Sequence, residues 1–126
     1  MFRLVSFALL ALTLSAADVT GIWSGQLTEP DRDPIDYSFR FAQTGATLSG
    51  KMYTDNESVP LKDTKIEGSH IAFTVTTELN GQINKFIFSG EIRDNEIDLE
   101  RVRESNKNKT DDKPGPKLVL RLKRFT

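Results

Sequence analysis

Few side chains in this sequence of 126 residues could carry out chemistry. The chain has no cysteine, and its one histidine, His70, follows Gly68 and Ser69 in a turn before an apolar stretch. Serines and aspartates are common, but no spacing singles out a Ser-His-Asp arrangement. A zinc site normally uses several Cys or His ligands, so zinc is not predicted. The residue inventory favours a protein that is not an enzyme and needs no cofactor.

Two groups of carboxylates have the oxygen chemistry that calcium prefers. They are Glu29, Asp31, Asp33 and Asp36 in the first third of the chain, and Asp111 with Asp112 near its end. Neither group follows a calcium-loop pattern, and Arg32 and Lys113 lie among the acidic residues. Nothing directs two carboxylates at one point, as glycoside hydrolysis would require. Solvated turn residues are the better interpretation, and no metal site is predicted.

The amino-terminal segment has the layout of a secretory signal peptide. Residues 1–17 carry one positive charge at Arg3, an apolar run over 4–14 and a small-residue end at Ser15, Ala16 and Ala17. We expect cleavage after Ala17, which leaves a single domain over 18–126 and no integral membrane segment. The protein is therefore expected to be secreted or periplasmic. The sequons at Asn56 and Asn108 would be used only in a eukaryotic secretory pathway.

The slightly negative net charge of the chain argues against a polyanionic partner. The net charge is −1, and it becomes −2 when Arg3 is lost with the leader. A protein that binds nucleic acid or an anionic membrane through its overall field is usually basic. No nucleic-acid partner is predicted. With no cysteine to form disulfides, stability must come from packing and backbone pairing.

Side chains alternate between apolar and polar through almost all of the chain after the leader, which predicts short β-strands. The predicted strands are 21–27, 35–42, 46–53, a weak edge strand within 58–68, 70–78, 84–92, 96–103 and 117–124. Charged or polar loops separate some of them, at 28–34 and 104–116. No segment has a sustained helical apolar stripe. The pattern predicts an all-β, antiparallel, up-and-down barrel of eight strands.

A short pattern recurs in three of the predicted strands. "WSGQL", "LSGKM" and "FSGEI" each place Ser-Gly between apolar residues, with glycines at Gly25, Gly50 and Gly90. A glycine inside a strand usually marks a bend or a bulge, and a small barrel needs such corners to curl its sheet. We interpret the three glycines as bends. Close approach of a ligand to the backbone is the alternative.

The first strand, "TGIWSGQL", contains Gly21 and the only tryptophan, Trp23. This Gly-x-Trp at the start of a predicted barrel resembles the calycin superfamily, the lipocalins and their relatives. The resemblance implies that the indole closes the barrel floor and that a basic residue of the last strand packs across it. Arg124 continues the inward phase of that strand and is the better match, with Arg121 second.

The order of "VTGIWSGQL", "TLSGKMY", "HIAFTVTTEL" and "FSGEI" is also similar to the order of avidin strands. Avidins enclose biotin in several tryptophans, whereas this chain has one, so biotin is not predicted. The chain is similar as well to small exported bacterial proteins that begin "DVTG.W.G", a group that implies no particular activity.

The barrel interior is the remaining candidate site. Its predicted aromatic and methionine lining is Tyr37, Phe39, Phe41, Met52, Phe73, Phe86 and Phe88. The predicted ligand-binding set is Tyr37, Phe39, Phe41, Met52, Phe73 and Phe88. An eight-stranded barrel either is filled by its own side chains or holds one small ligand. The sequence predicts a largely filled core with a small apolar ligand held at the open mouth, in a lipocalin-like binding protein. A filled barrel that contacts protein or glycan through loops or a strand edge is the alternative.

Overall fold

The computed structural model describes residues 18–55, 57–79, 81–105 and 112–125, and within these residues all regular structure is β-strand. The strands are β1 (Gly21–Leu27), β2 (Ile35–Thr44), β3 (Thr47–Tyr53), β4 (Ser58–Pro60), β5 (Lys62–Glu67), β6 (His70–Leu79), β7 (Gln82–Arg93), β8 (Glu96–Arg103) and β9 (Leu118–Arg124). In these ranges no helix is long and apolar enough to cross a membrane. The predicted leader, the sequon asparagines Asn56 and Asn108, and Asp111 lie outside the described residues.

The strands form one antiparallel sheet with the order β4-β3-β2-β1-β9-β8-β7-β6-β5. Except for β4 and β5, strands that are neighbours in sequence pair with each other, and the first strand, β1, pairs with the last, β9, in the middle of the sheet. The two sheet ends, β4 and β5, approach each other and nearly close the sheet on itself. This confirms the predicted all-β, antiparallel barrel.

The predicted number of eight strands is wrong, because the segment 58–68 forms two strands and brings the total to nine. Pro60 ends β4, where a residue without an N–H cannot extend the ladder. The chain then turns, and a register shift between Lys62 and Lys65 disturbs the pairing of β5 with β6. Asp63 has a φ of 50° within that irregular stretch. The segment 58–68 therefore supplies the strand at each end of the sheet, β4 at one end and β5 at the other.

A seam runs between these two ends, and we define it as β4, β5 and the edge of β3 that faces them. The Leu61 N–H donates to the Gly50 carbonyl at 3.0 Å. The Thr64 hydroxyl donates to the Leu48 carbonyl at 2.6 Å. One backbone hydrogen bond and one side-chain hydrogen bond thus join β3 to the segment that contains Leu61 and Thr64, and β3 and β5 form no continuous backbone ladder.

Alternation decides which side chains enter the barrel. In β2, for example, Tyr37, Phe39 and Phe41 are buried, whereas Arg40 between them is exposed. The same period applies in the other long strands, so their apolar faces converge in one core cluster. The core includes all six residues of the predicted ligand-binding set.

The glycines of the recurring pattern lie where strands cross closely. The apolar residues two positions before and two positions after Gly25, Gly50 and Gly90 are buried. Because side chains alternate along a strand, each glycine therefore occupies an inward position. A Cβ at these positions would collide with a carbonyl oxygen of an adjacent strand. Those oxygens belong to Arg121, Arg40 and Asp98, respectively. Each of the three glycines therefore lies in close contact with the backbone of the neighbouring strand. Gly21, which begins β1, has a φ of 140° that residues with a Cβ rarely adopt.

Candidate binding site at the barrel mouth

The middle of the barrel is filled by aromatic rings. Phe73 and Phe88 stack with centroids 5.1 Å apart, and Phe39 stacks on Phe41 at 5.6 Å. Phe39 also meets the edges of Phe73 at 5.5 Å and Phe88 at 5.7 Å. Such offset and edge contacts are the preferred geometries of packed rings. Three members of the predicted ligand-binding set, Phe39, Phe41 and Phe73, thus contact mainly each other and their neighbours in the core.

The other three members, Tyr37, Met52 and Phe88, reach a cleft at one end of the barrel. We call it the mouth cleft, and its volume is about 670 Å³. The loops after β1, β3 and β8 surround it. Its lining includes Glu29, Tyr37, Met52, Phe86, Phe88 and Arg101. The cleft combines an apolar base with charged groups at its side, which suits a ligand with both apolar and polar parts.

Arg101 is the charged residue that enters deepest. It follows Ile97 and Leu99 on the inward phase of β8, and its side chain is only 11% exposed. Its Nη1 donates to the Tyr37 hydroxyl at 3.0 Å, and its Nη2 donates to Glu29 Oε1 at 2.9 Å. Arg101 Nε is buried and has no hydrogen-bond partner among the described residues. A buried guanidinium is costly unless it is paired, so this arrangement needs Glu29 or another anion.

Sequence reasoning missed Arg101, although the signal was present. In "EIDLERVR" the side chains of Ile97, Leu99 and Arg101 alternate with polar residues, so the apolar phase carries the arginine inward. The prediction placed only the apolar members of that phase inside the barrel. Its partner Glu29 was predicted to be a solvated turn residue.

Arg103, also at the mouth, holds the second half of the long loop that joins β8 to β9. Its two terminal nitrogens donate to the two carboxylate oxygens of Asp112 at 3.1 Å and 3.2 Å. Its carbonyl accepts the Gly115 N–H at 2.9 Å. A bidentate pair of this kind fixes position as well as charge. The described end of the loop is thus held against the mouth cleft.

The opposite end of the barrel is closed by Trp23. The indole is fully buried, and its Nε1 donates to the Val19 carbonyl at 2.9 Å. The Arg124 guanidinium lies over the ring, with Cζ 4.4 Å from the centroid. The same guanidinium donates to the carbonyls of Thr20 and Asp18, each at 3.0 Å. Arg124 therefore ties the last strand to the chain that precedes β1, across the tryptophan.

Two ionisable groups, one near this floor and one on the outer surface of the barrel, have shifted pKa values. The backbone N–H and the hydroxyl of Thr20 donate to Asp18 and lower the pKa of its carboxyl. The Asp18 carboxylate therefore favours the folded state above its ordinary pKa, and this contribution is lost as the pH falls through the lowered value. On the outer surface, a 2.7 Å hydrogen bond to Asp98 raises the pKa of Arg121. Arg121, the second candidate for covering Trp23, thus pairs with Asp98.

The remaining candidates for chemistry stay apart. His70 is half exposed at the start of β6, and its Nδ1 lies 3.4 Å from Glu91 Oε2. In the first acidic group, Glu29 pairs with Arg101, and Asp36 accepts a hydrogen bond from Gln26 at 2.9 Å. Within the described ranges, no three His, Asp or Glu side chains are grouped so that they could hold a metal ion.

Comparison of the chain with protein-family models, with curated proteins and with solved structures finds no match.

Proposed function

We propose that this protein is a non-catalytic, lipocalin-like binding protein that holds a small ligand with an apolar part in the mouth cleft. The observation that carries the proposal is the cleft itself, which continues the barrel interior beyond the packed rings. Its volume of about 670 Å³ lies within the usual range for small-molecule sites. The nearly closed antiparallel barrel is compatible with a calycin-like fold, and the signal-like layout of residues 1–17 supports export to the periplasm or the medium.

The base of the cleft supports an apolar contact. Met52 and Phe88 are almost completely buried yet lie at its inner surface, and half-buried Phe86 lies beside them. Because Met52 and Phe88 are already buried, the apolar protein surface that a ligand would cover lies mainly on Phe86, at about 25 cal/mol for each Å² removed from water. The ligand would therefore rest on the last layer of the core and leave the rings of Phe39 and Phe41 in place.

The packed core also supports the second candidate, an accessory domain that contacts protein or glycan through its surface. Four phenylalanines, Phe39, Phe41, Phe73 and Phe88, are each no more than 1% exposed, so the barrel centre has no room for a ligand. The two candidates differ in one respect. Only a ligand-binding protein needs an accessible mouth cleft.

Titration with the neutral apolar dye Nile red separates these candidates. Thr77 lies on the inward phase of β6 and lines the mouth cleft, whereas Thr76 lies on the opposite face. We expect saturable dye fluorescence with one site per chain. Thr77→Trp should weaken dye binding about tenfold or more by obstructing the cleft, a loss of about 1.4 kcal/mol.

Thr76→Trp is the matched control, because it adds the same indole outside the cleft, and it should bind the dye like the unchanged protein. Absence of saturable binding by the unchanged protein would favour the accessory-domain function. Equal binding by both variants would show that the dye occupies another surface.

A further inference from the structure

We propose that the mouth cleft is selective for amphiphiles with a carboxylate head group, which Arg101 binds in place of Glu29. This inference rests on the proposed binding function and names the class of ligand. Arg101 is 9% exposed as a residue and carries a permanent charge, so it requires an anion close by. Glu29 is the only carboxylate that forms an ion pair with Arg101 within the described part of the chain.

The present pairing uses only half of the available guanidinium edge. The Nε–H and one Nη2–H of an arginine point in the same direction and match the two oxygens of a carboxylate. Glu29 engages Nη2 through Oε1 at 2.9 Å, whereas its Oε2 lies 3.8 Å from the Nε of Arg32. Arg101 Nε has no partner among the described side chains and backbone groups. A carboxylate that approached this edge squarely would satisfy both donors.

Glu29 can be displaced without disturbing the sheet. It lies in the turn after β1, where its carbonyl accepts the Arg32 N–H at 3.2 Å. Its side chain is 23% exposed, so the carboxylate can be rehydrated when it leaves Arg101. Arg101, by contrast, is held by the Tyr37 hydroxyl and by the Phe86 ring, which lies 4.6 Å from its Cζ. Glu29 therefore acts as a built-in competitor at a fixed cationic site.

The apolar wall next to Arg101 gives the ligand its second property. Phe86 contacts the guanidinium, and Met52 and Phe88 line the cleft deeper inside. A head group on Arg101 would therefore have an alkyl chain or ring system in contact with these side chains. The combination specifies an anionic head joined to an apolar body, a narrower class than apolar molecules in general.

The test compares decanoate with decanol, which share a chain length and differ in charge. Each is used to displace Nile red from the full chain at neutral pH. Charge-assisted hydrogen bonds are stronger than neutral ones, so we expect decanoate to displace the dye at a concentration about tenfold or more below that of decanol. Displacement at equal concentrations would overturn the carboxylate selectivity and leave the binding function standing. Absence of dye binding would contradict the binding function and the selectivity with it.

Variants then assign the selectivity to Arg101. Glu29→Gln removes the competing carboxylate at nearly constant size and should strengthen decanoate binding about threefold or more, with decanol unchanged. Glu104→Gln is the matched control, because Glu104 lies at the same end of the barrel and pairs with Lys85 at 4.0 Å. It should leave both affinities unchanged. Equal strengthening by both variants would show a general charge effect and overturn the proposal.

The double variant Glu29→Gln/Arg101→Gln removes the whole ion pair and should reduce the preference for decanoate over decanol to about one. Retention of the preference in a folded double variant would contradict the role of Arg101. If the double variant fails to fold, the comparison of decanoate with decanol on the unchanged protein still decides whether the cleft selects a carboxylate, because that protein keeps the Arg101–Glu29 pair intact.

Discussion

Trp23 and Arg124 form the best-defined side-chain contact at the barrel floor. The indole has its only polar atom satisfied by Val19, and the guanidinium covers its face at 4.4 Å. A cation over an indole contributes roughly 0.5 to 2 kcal/mol, depending on how much water it excludes. Arg124 also donates hydrogen bonds to the carbonyls of Thr20 and Asp18, which precede β1. The pair therefore stabilises the junction of the first and last strands.

Replacement of this pair should have graded effects on stability. Trp23→Ala removes the largest buried side chain and should lower the free energy of unfolding by about 3 to 5 kcal/mol. Arg124→Met keeps the aliphatic cover but loses the charge and should cost about 1 to 2 kcal/mol. Urea denaturation followed by circular dichroism measures both values.

Lys123→Met is the control for Arg124→Met, because it removes an exposed charge from the adjacent position of β9. It should stay within about 0.5 kcal/mol of the unchanged protein. A folded Trp23→Ala protein of unchanged stability would show that the indole does not anchor the floor.

Individual residues also show where sequence reasoning reaches its limit. Trp23 and Arg124 could be paired from a family resemblance and from the phase of the last strand. Arg101 could have been placed inside from its phase, but its contact with Glu29 joins residues 72 positions apart. Such a contact depends on how a surface turn folds over the mouth, which alternation of side chains does not specify.

At the scale of the strands, glycines decide how closely neighbours approach. Gly90 in β7 is the clearest case, because a Cβ there would meet the Asp98 carbonyl and lie 2.9 Å from the Leu99 Cα. Both are backbone atoms of β8, which pairs with β7 along eight residue pairs and cannot shift alone. The recurring Ser-Gly pattern is therefore a requirement for backbone packing.

Gly90→Ala should consequently lower the free energy of unfolding by about 1 to 3 kcal/mol, the usual cost of forcing extra volume into a packed region. Ser89→Ala, one position away, adds no atoms and should change stability by less than about 0.5 kcal/mol. Thermal and urea unfolding of the two variants provide the measurement. A Gly90→Ala protein as stable as the Ser89→Ala protein would contradict the close strand crossing.

The division of 58–68 into β4 and β5 was harder to predict than the other strands. Regular alternation of apolar and polar residues predicts a strand reliably when hairpin turns on both sides determine which strands it pairs with. Around Pro60 the alternation is weak, and the segment must serve two different partners, β3 and β6. Which part pairs with which strand depends on closure of the whole sheet, a property that no local pattern contains.

At the scale of the whole molecule, the seam should be the least stable part of the sheet. β4 has three residues, and β5 pairs irregularly with β6. β7, in contrast, is twelve residues long and is paired along both edges. Regions with short ladders and few buried contacts open locally at lower free energy than central strands. The barrel should therefore open at the seam before it unfolds globally.

Native-state hydrogen exchange by NMR tests this order. Amides of β4 and β5 should exchange faster than amides of β7 and β8. Thr64→Val removes the hydroxyl that donates to the Leu48 carbonyl and should further reduce protection in β5, with little change in β7. Thr76→Val is the control, since that hydroxyl makes no hydrogen bond among the described residues. Uniform protection across all strands would contradict seam opening.

The position of Trp23 also separates two optical signals in this protein. The only tryptophan of the chain is buried at the floor and does not line the mouth cleft. Its emission will therefore report the integrity of the barrel and remain nearly constant as the cleft fills. Unfolding and ligand uptake can then be followed in one cuvette, one by the intrinsic fluorophore and the other by an added dye.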